Sequence, residues 1–159
     1  MQWILAAVNR QWMEHVARTT VAATLSLLAA RAVGLPEAYW AAITTMIVMQ
    51  STLGAAWTIS LQRLAGTVLG AATGALLATY FGTSAIAFGA GILALGLICA
   101  ILHLDRTAYR FSGITLAVIM LVASNNPVRA AMHRFFEVSL GIVGGLLITA
   151  VWPERLDHS

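Results

Sequence analysis

Apolar residues run along this chain in long blocks, separated by short polar punctuation. Six blocks approach the ~20 residues that cross a bilayer as a helix. They run from about His15 to Val33, Tyr39 to Leu53, Leu61 to Tyr80, Ala85 to Leu102, Phe111 to Ala123 and Ala130 to Val151. The breaks carry turn chemistry: Gly34-Leu-Pro36, Phe81-Gly-Thr-Ser84, the polar patch from His103 to Arg110, Ser124-Asn-Asn-Pro127, and Pro153. The pattern predicts an all-α fold, an integral membrane bundle of six transmembrane helices in three hairpins. The N-terminus differs. Trp3, Ile4, Val8 and Trp12 recur near helical spacing among Asn9, Arg10 and Glu14, which predicts a short amphipathic helix in the interface. A signal peptide fits less well, because no basic stretch precedes the apolar residues and no small-residue cleavage site follows. The expected division is an interfacial segment over 1–14, a six-helix domain over 15–152 and a cytoplasmic tail over 153–159.

Composition strengthens this picture. Of 159 residues, 60% are hydrophobic and 9% charged, against roughly 25% charged in a soluble domain. The polar surface needed to stay in water is missing, and a lipid bilayer is the expected surroundings. All nine basic residues are arginine. They stand singly rather than in a patch, so nucleic acid is not an expected partner. Cys99 is alone and can form no disulfide within the chain. Four scattered histidines give no zinc spacing, and the glycine-rich stretch lacks the G-K-[ST] of a nucleotide loop. No cofactor, no metal and no enzymatic activity are expected.

Charge also sets an orientation. With six spans both termini share a side, which holds Arg10, Arg18, Arg63, Arg106, Arg110 and Arg155. Arg31, Arg129 and Arg134 fall on the other. The excess of arginine on cytoplasmic loops then places both termini in the cytoplasm. A weak repeat runs through the first, third and fifth helices, which each open on an arginine followed by small and hydroxylated residues: Arg18-Thr-Thr, Arg63-Leu-Ala-Gly66-Thr67 and Arg110-Phe-Ser-Gly113.

The third block carries the densest pattern: Arg63, Gly66, Thr67, Gly70 and Gly74. Glycines spaced by four share one helix face, and in lipid such faces let helices approach closely. Gly141 and Gly145 give the sixth helix a similar face. Arg63, at the start of its block, has two readings: a guanidinium that forks onto a carboxylate, or a helix-end arginine that snorkels to the headgroups. Thr67 can meet a substrate oxygen or bond back to the carbonyl of Arg63, the commoner outcome. His133, Arg134 and Glu137 can share one helical face. Arg134 is then an anion contact and Glu137 or His133 a proton-coupling group, or the three neutralise charge at the interface. Tyr39 and Trp40 form an aromatic belt or a stacking surface for an aromatic substrate. Thr44 and Gln50 add polarity to the second helix.

These residues also resemble a known family. Pro36-Glu-Ala-Tyr39-Trp40-Ala-Ala-Ile-Thr44-Thr45, then Arg63-x-x-Gly66-Thr67-x-x-Gly70, then His133-Arg134-x-x-Glu137-x-x-x-Gly141 before Trp152-Pro153 are similar to the transmembrane module of the fusaric-acid-resistance-like family. That family includes aromatic carboxylic acid exporters, and it resembles the plant aluminium-activated malate channels more distantly. The resemblance implies a bacterial inner-membrane protein that moves small organic anions outward. Larger members resemble two such modules joined to soluble domains, so a homodimer is the implied unit here. The pathway it implies is lined by Arg63, Thr67, Arg134, Tyr39, Trp40, Thr44 and Gln50. The alternative is a structural or accessory membrane protein that packs through its glycine faces.

Overall fold

In a computed structural model, residues 10–50, 52–122 and 126–153 are described. They form six α-helices, with no strand among them: α1 (Arg10–Ala32), α2 (Tyr39–Val48), α3 (Leu53–Tyr80), α4 (Ala85–Ile101), α5 (Arg106–Ala117) and α6 (Pro127–Val151). A π-helical turn, Val118–Val122, continues α5. Most of the expected N-terminal segment and the tail beyond Pro153 lie outside the described residues, as do Ser51 and residues 123–125, where the fifth block is expected to end. Residues 10–14 run into α1 without a break. α3 and α6 are long and apolar enough to cross a membrane. α2 and α4 are shorter apolar helices.

The helix ends follow local chemistry. α1 closes with Leu35 N donating to Ala30 O and Gly34 N to Arg31 O, each at 3.0 Å. This paired closure needs a left-handed residue, and Gly34 supplies it at φ +79°. α4 closes the same way around His103, at φ 54°, with Leu104 N donating to Cys99 O at 2.9 Å. Ser84 caps α4 by accepting from Ala87 N, and Asn126 caps α6 by accepting from Arg129 N, with Pro127 in the favoured first position.

Two boundaries differ from the sequence expectation. The second block is expected to stay helical to Leu53. Instead Met49 turns extended at ψ 112°, and Thr52 Oγ1 accepts from Ala55 N to start a new helix. α3 thereby gains two turns before Arg63. α5 likewise starts at Arg106 rather than Phe111. Its flanking Asp105 makes no side-chain cap, and its carboxylate accepts from Gln62 instead.

The chain divides into two compact units, residues 1–59 with 140–159, and residues 60–139. In the first, α1 packs along α2, and Ala30, Ala38 and Ala41 form a small core with Leu27, Leu35 and Leu140. The glycine face of α6 sits on α2. A Cβ at Gly141 would meet the carbonyl of Ala41 and lie 2.8 Å from Thr44 Cβ; one at Gly145 would lie 3.0 Å from Val48 Cγ1. Gly144, which the spacing argument passes over, faces Ser26 of α1. Thr45 Oγ1 ties these helices together. It lies 2.7 Å from Ser26 Oγ and 2.9 Å from the carbonyls of Ala41 and Gly141. One proton lets it donate to one carbonyl while accepting from Ser26. Thr45→Val should therefore lower stability by about 1–3 kcal/mol, because it leaves Ser26 without this partner in an apolar setting. The shift in thermal unfolding in micelles measures it, and an unchanged midpoint would remove the bridge from the account.

In the second unit, α3 presents Gly66, Gly70 and Gly74 to α5. A Cβ at Gly66 would lie 2.5 Å from the Ala108 carbonyl and 2.7 Å from Phe111 Cβ, and one at Gly70 would meet the Ser112 carbonyl. At Gly74 the nearest atoms are the side chain of Ile119, at 3.2 and 3.3 Å. A core of Ala87, Leu95, Leu116 and Met120 lies alongside, with Leu69, Leu77 and Phe88 packed on it.

Candidate functional site

Large apolar side chains lie outside in this protein. Leu25, Leu28, Met46, Val68, Leu76, Leu93, Leu97 and Leu147 are all exposed. The inside holds what apolar surroundings penalise most. Arg18, Arg63, Arg134 and Glu137 are all buried. A soluble fold has the opposite arrangement, since charges are almost never fully buried and large apolar patches are rare. A lipid-facing exterior around helices that bury these charges accounts for both, and ionisable residues placed so are functional candidates by default.

The second unit gathers three of the four. Arg63 is the eleventh residue of α3, roughly 15 Å from its start at 1.5 Å per residue. Its side chain is 1% exposed. It therefore does not stand at the helix mouth, where the sequence places it. The two turns that Thr52 adds to α3 move it inward. Its guanidinium lies over the Phe111 ring, 4.5 Å from the centroid, and desolvation strengthens such a contact. Phe111 can come this close because Gly66, one turn past Arg63, has no side chain. Phe111 is the site residue that motif reasoning passes over. Its signal in the sequence is the aromatic following Arg110, on the helix that the glycine ladder needs as a partner.

Arg134 and Glu137 follow at the eighth and eleventh positions of α6. Arg134 Nη1 lies 3.7 Å from Glu137 Oε2, with the two side chains 4% and 1% exposed. The three-residue spacing thus brings them together. Arg134 also stands within electrostatic reach of Arg63. Two buried cations and one buried anion leave this interior positive. The third member of the predicted cluster is placed elsewhere: His133 Nε2 accepts from Arg129 Nε at 3.2 Å, on the outer side of α6. Thr67 is buried, and its hydroxyl donates to Arg63 O at 2.8 Å, the back-bond that its position favours.

The remaining predicted pathway residues lie in the first unit. Thr44 is fully buried, and Tyr39 is half exposed with its ring 5.8 Å from that of Trp40. Gln50 sits past the end of α2, where Nε2 donates to Ile47 O at 3.2 Å. Arg18 is fully buried at the ninth position of α1. Arg110, the third arginine of the sequence repeat, is exposed. The repeat of arginine-led odd helices is thus split by burial.

Comparison with known proteins bears on these residues. The sequence profile of the fusaric acid resistance protein-like family matches residues 22–148, a span that includes Arg63, Arg134 and Glu137. The chain is similar to inner membrane protein YeeA of Escherichia coli K12, at 28% identity over 89% of this chain and 41% of YeeA. It is similar to uncharacterized transporter YdhK of the same strain, at 29% identity over 99% of this chain and 25% of YdhK. YdhK of Salmonella typhimurium is also 29% identical, over 95% of this chain and 24% of its own length. The chain therefore spans less than half the length of these relatives. No solved structure matches it.

Proposed function

The chain belongs to the fusaric acid resistance protein-like family, and from that membership we propose that it is an inner-membrane transport module for small organic anions, aromatic carboxylates foremost. The observation that carries this reading is the pair of buried guanidiniums, Arg63 and Arg134, inside helices whose outer faces are apolar. A permanently charged fork suits a carboxylate, and a positive interior in a low-dielectric setting favours an anion over a neutral solute or a cation. Phe111, next to Arg63, offers a ring face to an aromatic substrate. Relatives named as a transporter and as an inner membrane protein are consistent with this assignment.

In this reading six helices cross the membrane, the shorter ones where the bilayer thins locally, and both termini lie in the cytoplasm. Tyr39, Trp40, Thr44, Thr67 and Gln50 contribute to the walls of the pathway. Glu137 couples transport to a proton. The working unit is a homodimer. Reconstituted in liposomes with a panel of benzoate derivatives inside, the protein should release them faster than empty vesicles do. Release no faster than from empty vesicles, across the panel, would sink the transport assignment.

A further inference from the structure

The two glycine faces are one arrangement used twice. Gly70 of α3 packs on Ser112 of α5, and Gly141 of α6 packs on Ala41 of α2. Gly74 packs on Ile119 and Leu116, and Gly145 on Val48 and Thr45. Each residue of one set stands 71 positions from its counterpart in the other (141 less 70, 145 less 74, 112 less 41, 116 less 45, 119 less 48). The same offset aligns Arg63 with Arg134, Ile43-Thr44 with Ile114-Thr115, Leu69 with Leu140 and Leu76 with Leu147. α1 and α4 match at an offset of 69 (87 less 18, 99 less 30). Arg18, Ala22, Ser26 and Ala30 are buried, as are Ala87, Gly91, Leu95 and Cys99. At that offset too, Leu35 N donates to Ala30 O and Leu104 N to Cys99 O, around the left-handed Gly34 and His103. Chance likeness among apolar helices does not reproduce contacts, burial and helix ends together. The repeating unit is α1–α3 followed by α4–α6, not the hairpin that the sequence predicts.

The two seams also loosen in the same direction. Near the start of each, glycine meets main chain: Gly70 the Ser112 carbonyl, Gly141 the Ala41 carbonyl. One turn on, it meets side chain: Gly74 that of Ile119, Gly145 that of Val48. Beyond this, both second helices leave α geometry at one register. α2 stops at Val48, and Met49 is extended. α5 turns π-helical over Val118–Val122, with Met120, the counterpart of Met49, at its centre. Such interruptions recur at functional sites. Methionine is unbranched and adapts to more than one packing. Met49 meets Thr149 of α6, whose hydroxyl donates to its sulfur at 3.6 Å. Met120 lies in the core on which Leu77 and Ala78 of α3 pack. Each seam thus has a rigid end and a soft end. With six crossings, each copy crosses three times, so the copies run through the bilayer in opposite senses and their soft ends face opposite sides. Inverted repeats of this kind suit a carrier that opens to the two sides in turn. We propose that the chain works by alternating access. The Met49 end of the α2–α6 seam is its gate at the cytoplasmic face, and the Met120 end of the α3–α5 seam its gate at the opposite face. Only the cargo comes from the transport reading, and only the opposite senses from the six crossings.

The test uses the full chain carrying Cys99→Ala, in membrane vesicles of each orientation. Met49→Cys and Met120→Cys, made singly, should react with an impermeant maleimide, the first only from the cytoplasmic face and the second only from the other. With the seams closed these methionines are 3% and 1% exposed, so a static bundle leaves both positions unlabelled. Disulfide locks then test alternation. A Cβ at Gly145 would lie 3.3 Å from Val48 Cβ, and one at Gly74 3.2 Å from Ile119 Cβ, close to the separation that a disulfide spans. Oxidised Gly74→Cys with Ile119→Cys should raise labelling of Met49→Cys at least threefold. Oxidised Val48→Cys with Gly145→Cys should do the same for Met120→Cys, and dithiothreitol should reverse both. Labelling of both single cysteines from one face, failure of either to label, or labelling unchanged by oxidation overturns the proposal. If a locked pair does not fold, the single cysteines decide by the same criteria. Benzoate release is scored separately, in liposomes, and either lock should stop it until reduced. Alternation without release in any state keeps the gates and removes the transport assignment. Release that persists through either lock keeps transport and overturns the gates.

Discussion

Gly70→Ala should cost this protein about 3 kcal/mol or more, a large part of the stability of a chain this size. One methyl group has this effect because no flexible atom can yield to it. The Cβ would meet the Ser112 carbonyl, with Ser112 C and Cα each 2.9 Å away, and these are backbone atoms at the centre of α5. The helices must separate, and the contacts on either side of Gly70 separate with them. Gly141→Ala should behave alike against the Ala41 carbonyl. Two neighbours calibrate the series. At Gly74 the nearest atoms are side-chain carbons of Ile119 at 3.2 and 3.3 Å, which can shift, so Gly74→Ala should lose less. At Gly54 nothing lies within 4 Å, and Ala should be neutral or gain the roughly 0.8–1.0 kcal/mol by which it exceeds glycine as a helix former. Melting midpoints in micelles should order the variants Gly54, Gly74, Gly70 from highest to lowest. A Gly70→Ala midpoint within about 2 °C of the parent would contradict the close approach.

The ladder was legible in the sequence because its physics is local. A spacing of four and the absence of a side chain are both properties of one helix. Much of the charged site was legible for the same reason, since Arg134 and Glu137 are one turn apart on one segment. What the sequence hid came from elsewhere in the chain. Arg63 looks like a helix-end residue until Thr52 is recognised as the cap that lengthens α3, and a short polar break inside an apolar run gives little warning of it. The Phe111 ring meets Arg63 only because α5 docks on Gly66, a contact between segments 45 residues apart (111 less 66). His133 illustrates the limit of spacing arguments. It is as well placed to face Glu137 as to face Arg129, each four residues away, and the structure pairs it with Arg129.

Arg63→Gln should lower carboxylate release from liposomes on the order of 10²-fold while the protein still folds. The size follows from the interaction removed. A buried, charge-assisted contact to a carboxylate is worth about 2–5 kcal/mol when one partner is truncated, and 1.4 kcal/mol is a factor of ten. Folding should survive because α3 is held to α5 by Gly66, Gly70 and Gly74, and Thr67 bonds only to the main-chain carbonyl of Arg63. Arg63→Lys separates charge from shape. Lysine keeps the cation but loses the planar fork and most of the stacking on Phe111. If charge alone draws the anion, Lys should release at nearly the parent rate. If the held geometry matters, as the 4.5 Å stack implies, Lys should fall most of the way toward Gln. Phe111→Leu provides the companion measurement, because it removes the ring while leaving Arg63 in place. It should reduce release of benzoate derivatives more than release of acetate, since only the aromatic substrate loses a face to stack on. Equal loss for both anions would make Phe111 a support for Arg63 and nothing more, and parent-like release by Arg63→Gln would remove that arginine from the pathway altogether.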